Sequence, residues 1–196
     1  MVKNLVSLFL LLVGLPMSVI AIEKPPYELV DQFEAVEVRA YPDLVVARTW
    51  VDAPFDAAGS TAFRRLGGYI FGDNQAEQKI AMTSPVSQSP AEGGGYWVTF
   101  FMPAAYDLNS LPQPEDEKVE LTRLPATTFA VLRYKGGWSE KKYRDHEARL
   151  LEELRQQENW QPAGEAVWAR YNPPFMPAFL RTNEVMIPVV RVRETF

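Results

Sequence analysis

Few residues of this chain can do chemistry on their own, and that scarcity narrows the question of function. There is one histidine, His146, and no cysteine in 196 residues. Thiolate zinc sites, iron–sulfur clusters, disulfides, cysteine nucleophiles, a lipid-modified cysteine anchor and multi-histidine metal sites are thereby excluded. Ser84 stands between Thr83 and Pro85 without the Gly-x-Ser-x-Gly elbow of a serine hydrolase, and the one imidazole is distant in sequence. Glu184, Glu37 and Glu120 lie in strand-like segments. A buried carboxylate with a raised pKa would serve as a general base, whereas a solvated one would not. No catalytic residue is assigned. The remaining pattern is one of binding: Gly59, Phe63 and Gly67 recur every four residues, forming one helical stripe with Leu66 and Ile70 beside it and Arg64 and Arg65 adjoining. Each internal glycine costs a helix about 1 kcal/mol relative to alanine. The stripe reads either as a shallow apolar shelf with notches above and below a ring, or as notches that admit a neighbouring strand, with Gly67-Gly68 ending the helix.

The elements that must position these residues follow from composition and periodicity. The chain is 47% hydrophobic and 23% charged, enough apolar side chain for one ordinary core. Its formal charge of −5 comes from 20 basic and 25 acidic residues with no basic run, so no nucleic-acid partner is expected. Residues 1–21 open with Lys3, run apolar from Leu5 to Val13, and offer Val19-Ile20-Ala21. This is the pattern of an export signal cut after Ala21, with an uncleaved anchor over Leu5–Ile22 as the alternative. After cleavage no stable membrane span remains. The expectation is an exported domain over 22–196, periplasmic if the source is a Gram-negative bacterium.

The rest of the chain repeats itself. "VEVRAYP" at 36–42 and "VELTRLP" at 119–125 share a pattern at an offset of 83, and each is followed by an alternating apolar run. Helices are expected over about 56–70 and 139–158, with Ser139 as N-cap and Tyr143, Leu150, Leu151 and Leu154 at helical spacing. Two strands follow each helix: "KIAMTSPV" and "YWVTFFMP", then "AVWARYNPP" and "NEVMIPVV". The half-repeats run over about 27–107 and 118–190, with 108–118 as a solvated connection. The expected fold class is α+β: two β-α-β-β units forming a curved, mostly antiparallel sheet or distorted barrel flanked by two helices about a pseudo-twofold axis. On that plan Ile80 and Met82 face inward from their strand, and His146 is a packing residue at the margin of the second helix's apolar face.

"KIAMTSPV", "GGW" at 136–138, "FRRLGGYIFG" at 63–72 and "YNPPFMPAFLRTNEVMIPV" at 171–189 together resemble the SOUL haem-binding family, to which GyrI-like small-molecule-binding domains are related in plan. The resemblance spans Tyr27 to Val190. It implies non-covalent binding of haem b or a related tetrapyrrole in an apolar groove between the first helix and the loop after the paired prolines. That loop here is Phe175, Met176, Pro177, Ala178 and Phe179, with Arg181 as its first cation. The expected ligand-binding set is Gly59, Phe63, Arg64, Arg65, Leu66, Gly67, Ile70, Phe175, Met176, Phe179 and Arg181. Haem iron takes His, Met, Tyr or Cys, but no residue is assigned as a metal ligand and His146 is only a marginal axial candidate. Two other readings stay open: a GyrI-like hydrolase using a pocket carboxylate, and an envelope module binding a lipid or other apolar ligand. The sequence leaves the oligomeric state undetermined.

Overall fold

The computed structural model describes residues 22–192; the expected export signal lies outside them. Ten strands and two helices follow in the order β1 (Glu28–Phe33), β2 (Val36–Tyr41), β3 (Leu44–Val51), α1 (Phe55–Phe71), β4 (Val86–Pro90), β5 (Tyr96–Phe101), β6 (Glu120–Leu124), β7 (Thr127–Lys135), α2 (Glu140–Arg155), β8 (Trp160–Pro162), β9 (Val167–Arg170) and β10 (Thr182–Arg191). The pairing is antiparallel throughout. The sheet runs β1-β2-β7-β10-β9-β4-β5-β3-β6, with β8 attached to β10. The α+β class with a large antiparallel sheet and two flanking helices is therefore observed, and the sheet does not close into a barrel.

Read outward from the β4·β9 pair, the order is the same in both directions: β5, β3, β6 on one side and β10, β7, β2 on the other. The two outermost strands of this symmetric set have changed partners, since β2 from the first half pairs β7 and β6 from the second half pairs β3. The unit common to both halves is consequently β-β-α-β-β, one strand longer than β-α-β-β, with β1 and β8 added outside it.

Alternation along the strands gives the sheet two chemically different faces. Val36 and Val38 of β2, Ala130, Leu132 and Tyr134 of β7, Trp168 of β9 and Val185, Ile187 and Val189 of β10 pack with Tyr143, Leu150 and Leu154 of α2. Ala47 and Val51 of β3 and Val98 and Phe100 of β5 pack with Ala58, Ala62, Leu66, Tyr69 and Ile70 of α1. Among the described residues, the opposite face carries no helix.

The helices form where periodicity and caps place them. Ser139 caps α2, its hydroxyl accepting from the Lys142 amide at 3.3 Å. In α1, Gly67 and Gly68 are interior residues, and the helix ends at Gly72, whose φ of 128° favours glycine. Buried Asn74 then shapes the descent: its side-chain amide donates to the Tyr69 and Gln78 carbonyls, and its carbonyl accepts from the Ala76 and Gln78 amides.

The "KIAMTSPV" stretch departs from the expected strand. Residues 79–85 are irregular, and β4 begins only at Val86, after the cis Ser84–Pro85 bond. Ile80 is buried and Met82 half-buried, both against the α1 core, so their inward direction holds without ladder pairing. Thr83 instead donates its hydroxyl to the Phe101 carbonyl and the Ser84 amide donates to Glu23.

Candidate functional site

The eleven residues expected to bind a ligand separate into four places. Leu66 and Ile70, 0% and 1% exposed, point from α1 into the core and cannot line a surface groove, because α1 uses that side to cover β3 and β5. Gly59 also faces the sheet side: a Cβ there would meet Nη1 of Arg170 at 2.8 Å, so its notch admits a side chain from β9. Arg64 and Arg65 line a depression of about 340 Å³ with Tyr69, Asp73, Pro114 and Asp116, which contains no residue of the 175–181 loop. Arg65 also donates to the Thr49 hydroxyl and the Trp50 carbonyl, both at 3.1 Å. Phe63 alone of the stripe presents its ring to solvent. It packs edge-on against Phe100, and Gly67 lies beneath the rings of Phe63 and Phe71.

The fourth place is the loop itself. Phe175 and Phe179 are 86% and 74% exposed, and Leu180 is exposed beside them on a single 3₁₀ turn, Ala178–Leu180. Three large apolar side chains of one short loop therefore stand in water, the kind of surface that binding sites use. Arg181 supplies the order: its Nε donates to the Met176 carbonyl at 2.8 Å, another guanidinium nitrogen donates to the Pro174 carbonyl, and the group lies 4.2 Å from the Trp138 ring centroid. The expected rim cation is thus the pin that shapes the loop.

Behind the loop, Trp138 faces a second guanidinium, that of Arg170, at 5.4 Å. Arg170 is wedged among Phe55, Trp138 and Tyr143 and donates to Gln88 Oε1 at 2.6 Å. Its Nε and the Trp138 indole N–H are buried donors with no acceptor among the described residues. The amine of Lys142, on the first turn of α2, lies 3.5 Å and 3.9 Å from where Cβ atoms of Gly136 and Gly137 would sit, and Gly137 in turn borders Ala178. Lys142 makes no ion pair with a described residue. The chain from Gly59 through Arg170 and Trp138 to Arg181 thus connects the start of α1 to the loop. Sequence reasoning missed Arg170, Trp138 and Lys142. The signal was present in "GGW", whose glycines leave room for a cation beside the loop.

His146 is occupied by packing. Its ring stacks on Tyr134 at 3.7 Å, and Nδ1 is 2.7 Å from the Lys142 carbonyl, to which a protonated Nδ1 donates. Among the described residues no group of three His, Asp or Glu converges as a metal site.

On the helix-free face, strand alternation brings Glu184, Met186, Phe129, Arg133, Arg39 and Tyr41 to one side of a cleft of about 360 Å³, with Arg48, Trp97, Thr99 and Phe101 opposite. Glu184 lies beneath its floor, 0% exposed. Its Oε1 accepts from Arg39 Nη2 at 3.1 Å and Arg133 Nε at 2.8 Å, and its Oε2 accepts from Arg39 Nη1 at 3.1 Å and the Tyr171 hydroxyl at 2.5 Å. Burial by itself pushes this carboxyl up, but the hydrogen bonds and charge of Arg39, with further bonds from Tyr171 and Arg133, hold it below the usual carboxylate range. Burial, and then the charge of Glu184, push the Tyr171 phenol well up. A general base needs the opposite: a raised pKa and a free lone pair. The expectation that Glu184 could act as a base of raised pKa is therefore corrected, because two arginines from β2 and β7 neutralise it. Glu120 is paired with Arg48 at 2.9 Å, and Glu37 with Arg39 at 2.7 Å.

Comparison with known proteins places the chain. The SOUL heme-binding protein family matches residues 22–188. Heme-binding protein 2 of Mus musculus is 28% identical over 173 residues, covering 84% of this chain and 82% of that protein. Heme-binding protein 1 of Xenopus tropicalis is 30% identical over 138 residues, covering 67% and 71%. Among solved structures, the EcmrR C-terminal domain is similar with a TM-score of 0.63 at 11% identity, covering 85% of this chain and 99% of that one, a likeness of fold alone. With a family match that takes in nearly every described residue, this chain belongs to the SOUL haem-binding protein family.

Proposed function

We propose that this protein binds haem b or a related tetrapyrrole non-covalently, on the surface built by the loop after Pro174 and the outward side of α1. The observation that carries the reading is the pinned, solvent-facing group of Phe175, Phe179 and Leu180 in a chain of this family. When bound, the macrocycle brings a flat apolar face, an iron and two propionates. The exposed rings of Phe175 and Phe179, with Phe63 further along α1, suit the flat face. The amine of Lys142, beside the loop, suits a carboxylate. His146, stacked and bonded to its own helix, is not used. The protein acts after export, storing, buffering or delivering the tetrapyrrole, and has no catalytic step of its own.

Titration of the purified protein with haemin, followed by the Soret band and by quenching of its tryptophans, tests this. A saturable change at micromolar haemin is expected, and its absence would sink the reading. Phe179→Asp removes an apolar contact worth roughly 1.5–3 kcal/mol when fully covered, so its affinity should fall about tenfold or more. His146→Ala should leave the spectrum as it is. Export is tested by fractionating expressing cells and sequencing the N-terminus of the mature protein. A periplasmic chain beginning at Ile22 is expected, and a cytoplasmic chain that retains Met1 would refute it.

A further inference from the structure

The cleft on the helix-free face is separate from the surface just assigned and has its own chemistry. It lies over the β4·β9 axis, where the two halves of the sheet meet, and Lys24, Pro25 and Tyr27 form part of its wall. Its apolar walls are rigid: the rings of Tyr27, Trp97, Phe101, Phe129 and Tyr171, and five prolines that offer no backbone N–H. A volume of about 360 Å³ is within the range of small-molecule sites.

Charge selects the guest. The protein as a whole is acidic, yet among the described residues the cleft is lined by four cations, Lys24, Arg39, Arg48 and Arg133, and by no carboxylate. Glu184 beneath it is sealed from solvent, with four donors already on its two oxygens. Arg39 is itself buried and spent on Glu184 and Glu37. Arg48 is paired with Glu120 and lies 4.3 Å from the Trp97 ring centroid. Two cations keep capacity. Arg133 uses only Nε on Glu184, and neither terminal amino group bonds a described residue. Lys24 lies 5.3 Å from the Tyr171 ring centroid and forms no ion pair with a described residue. Tyr171 bonds the same carboxylate as Arg133 and has Lys24 near its ring, so Tyr171 links the two free donor groups along a wall they share with the apolar rings.

We propose that this cleft is a second ligand site that takes an amphiphilic monocarboxylate of fatty-acid type. The carboxylate bonds to Arg133 and Lys24, and the apolar body lies against Trp97, Phe101 and Phe129. A cationic amphiphile of the same length is excluded, because every ionised group on the lining would repel it.

Laurate and dodecyltrimethylammonium, matched in chain length and opposite in charge, make the test, read by calorimetry and by Trp97 fluorescence with the purified protein. Saturable one-to-one binding of laurate is expected, with far weaker binding of the cation, whether or not haemin is present. Loss of a charge-assisted hydrogen bond in Arg133→Gln or Lys24→Gln should weaken laurate roughly tenfold. Since Arg133 also braces Glu184, Ser89→Trp serves as an independent variant: it fills the cleft and should abolish laurate binding while leaving haemin affinity unchanged. Equal binding of the cation, laurate binding indifferent to Ser89→Trp, or competitive displacement of laurate by haemin would each overturn the second site. Failure of the haem reading leaves the laurate result standing, because laurate is titrated alone first.

Discussion

Glu184 and Arg39 are 145 positions apart in the chain and meet because β2 crosses to the far half of the sheet and lies beside β7. Arg39 is 1% exposed and Glu184 0%, so each is the main compensation for burying the other. Glu184→Gln keeps the shape but leaves Arg39 as a buried charge short of a partner. The expected loss of stability, measured by urea unfolding, is about 3–5 kcal/mol. The pH dependence follows from the sign of the shift. The Glu184 carboxyl is depressed in the folded protein, so its contribution is complete above the ordinary glutamate pKa of about 4.3 and is lost as pH falls through the lower folded value. Below about pH 4 the unfolding midpoint of the wild type should therefore fall more steeply than that of Glu184→Gln. Parallel curves would show that the pair carries no such linkage. Nothing in the local sequence announces this pairing. "NEV" reads as a strand with a solvated or basic glutamate, and only the sheet order reveals the two arginines above it.

At the scale of elements, both helices were legible because their signals are local: Ser139 caps α2 where expected, and the apolar spacing of Tyr143, Leu150 and Leu154 gives its buried side. The glycines of α1 were harder to read. Gly59 proved to be a notch for the Arg170 guanidinium, the reading in which a strand fills it, whereas Gly67 has no such filler. A Cβ at Gly67 would lie 3.6 Å from Phe63 and 3.7 Å from Phe71, ordinary contact with half-exposed rings. Gly67→Ala should accordingly stabilise the protein by up to about 1 kcal/mol, the difference in helix propensity. Should the haem-type ligand need those rings to part over Gly67, the same variant binds haemin less tightly, so stability and affinity move in opposite directions. Unchanged thermal and urea stability would mean that the rings resist the added methyl. "KIAMTSPV" was misread for a reason of the same kind. Alternation predicts which way Ile80 and Met82 face but not whether a neighbour pairs with them, and the pairing partner of this region appears only after Pro85.

The whole molecule has a property that neither half shows alone. Repetition at an offset of 83 made the two halves visible in the sequence, but not the exchange of their first strands, which depends on long-range pairing that no periodicity encodes. Because β2 lies on β7 and β6 on β3, each half finishes the sheet of the other, while β4·β9 joins them at the centre. The halves should therefore not unfold separately. Removing residues 22–41 would strip β7 of a neighbour from Val36↔Leu132 to Tyr41↔Thr127, and would take Arg39 from Glu184 as well. The expectation is one cooperative urea transition in which far-ultraviolet circular dichroism and tryptophan fluorescence coincide. Of the tryptophans, Trp50 and Trp97 report the first half and Trp138, Trp160 and Trp168 the second, so single-tryptophan variants resolve the two regions. Midpoints that separate between Trp97 and Trp168 would mean that the exchanged strands detach before the core does. Coincident midpoints would place the 175–181 loop and the cleft above Glu184 within a single folding unit.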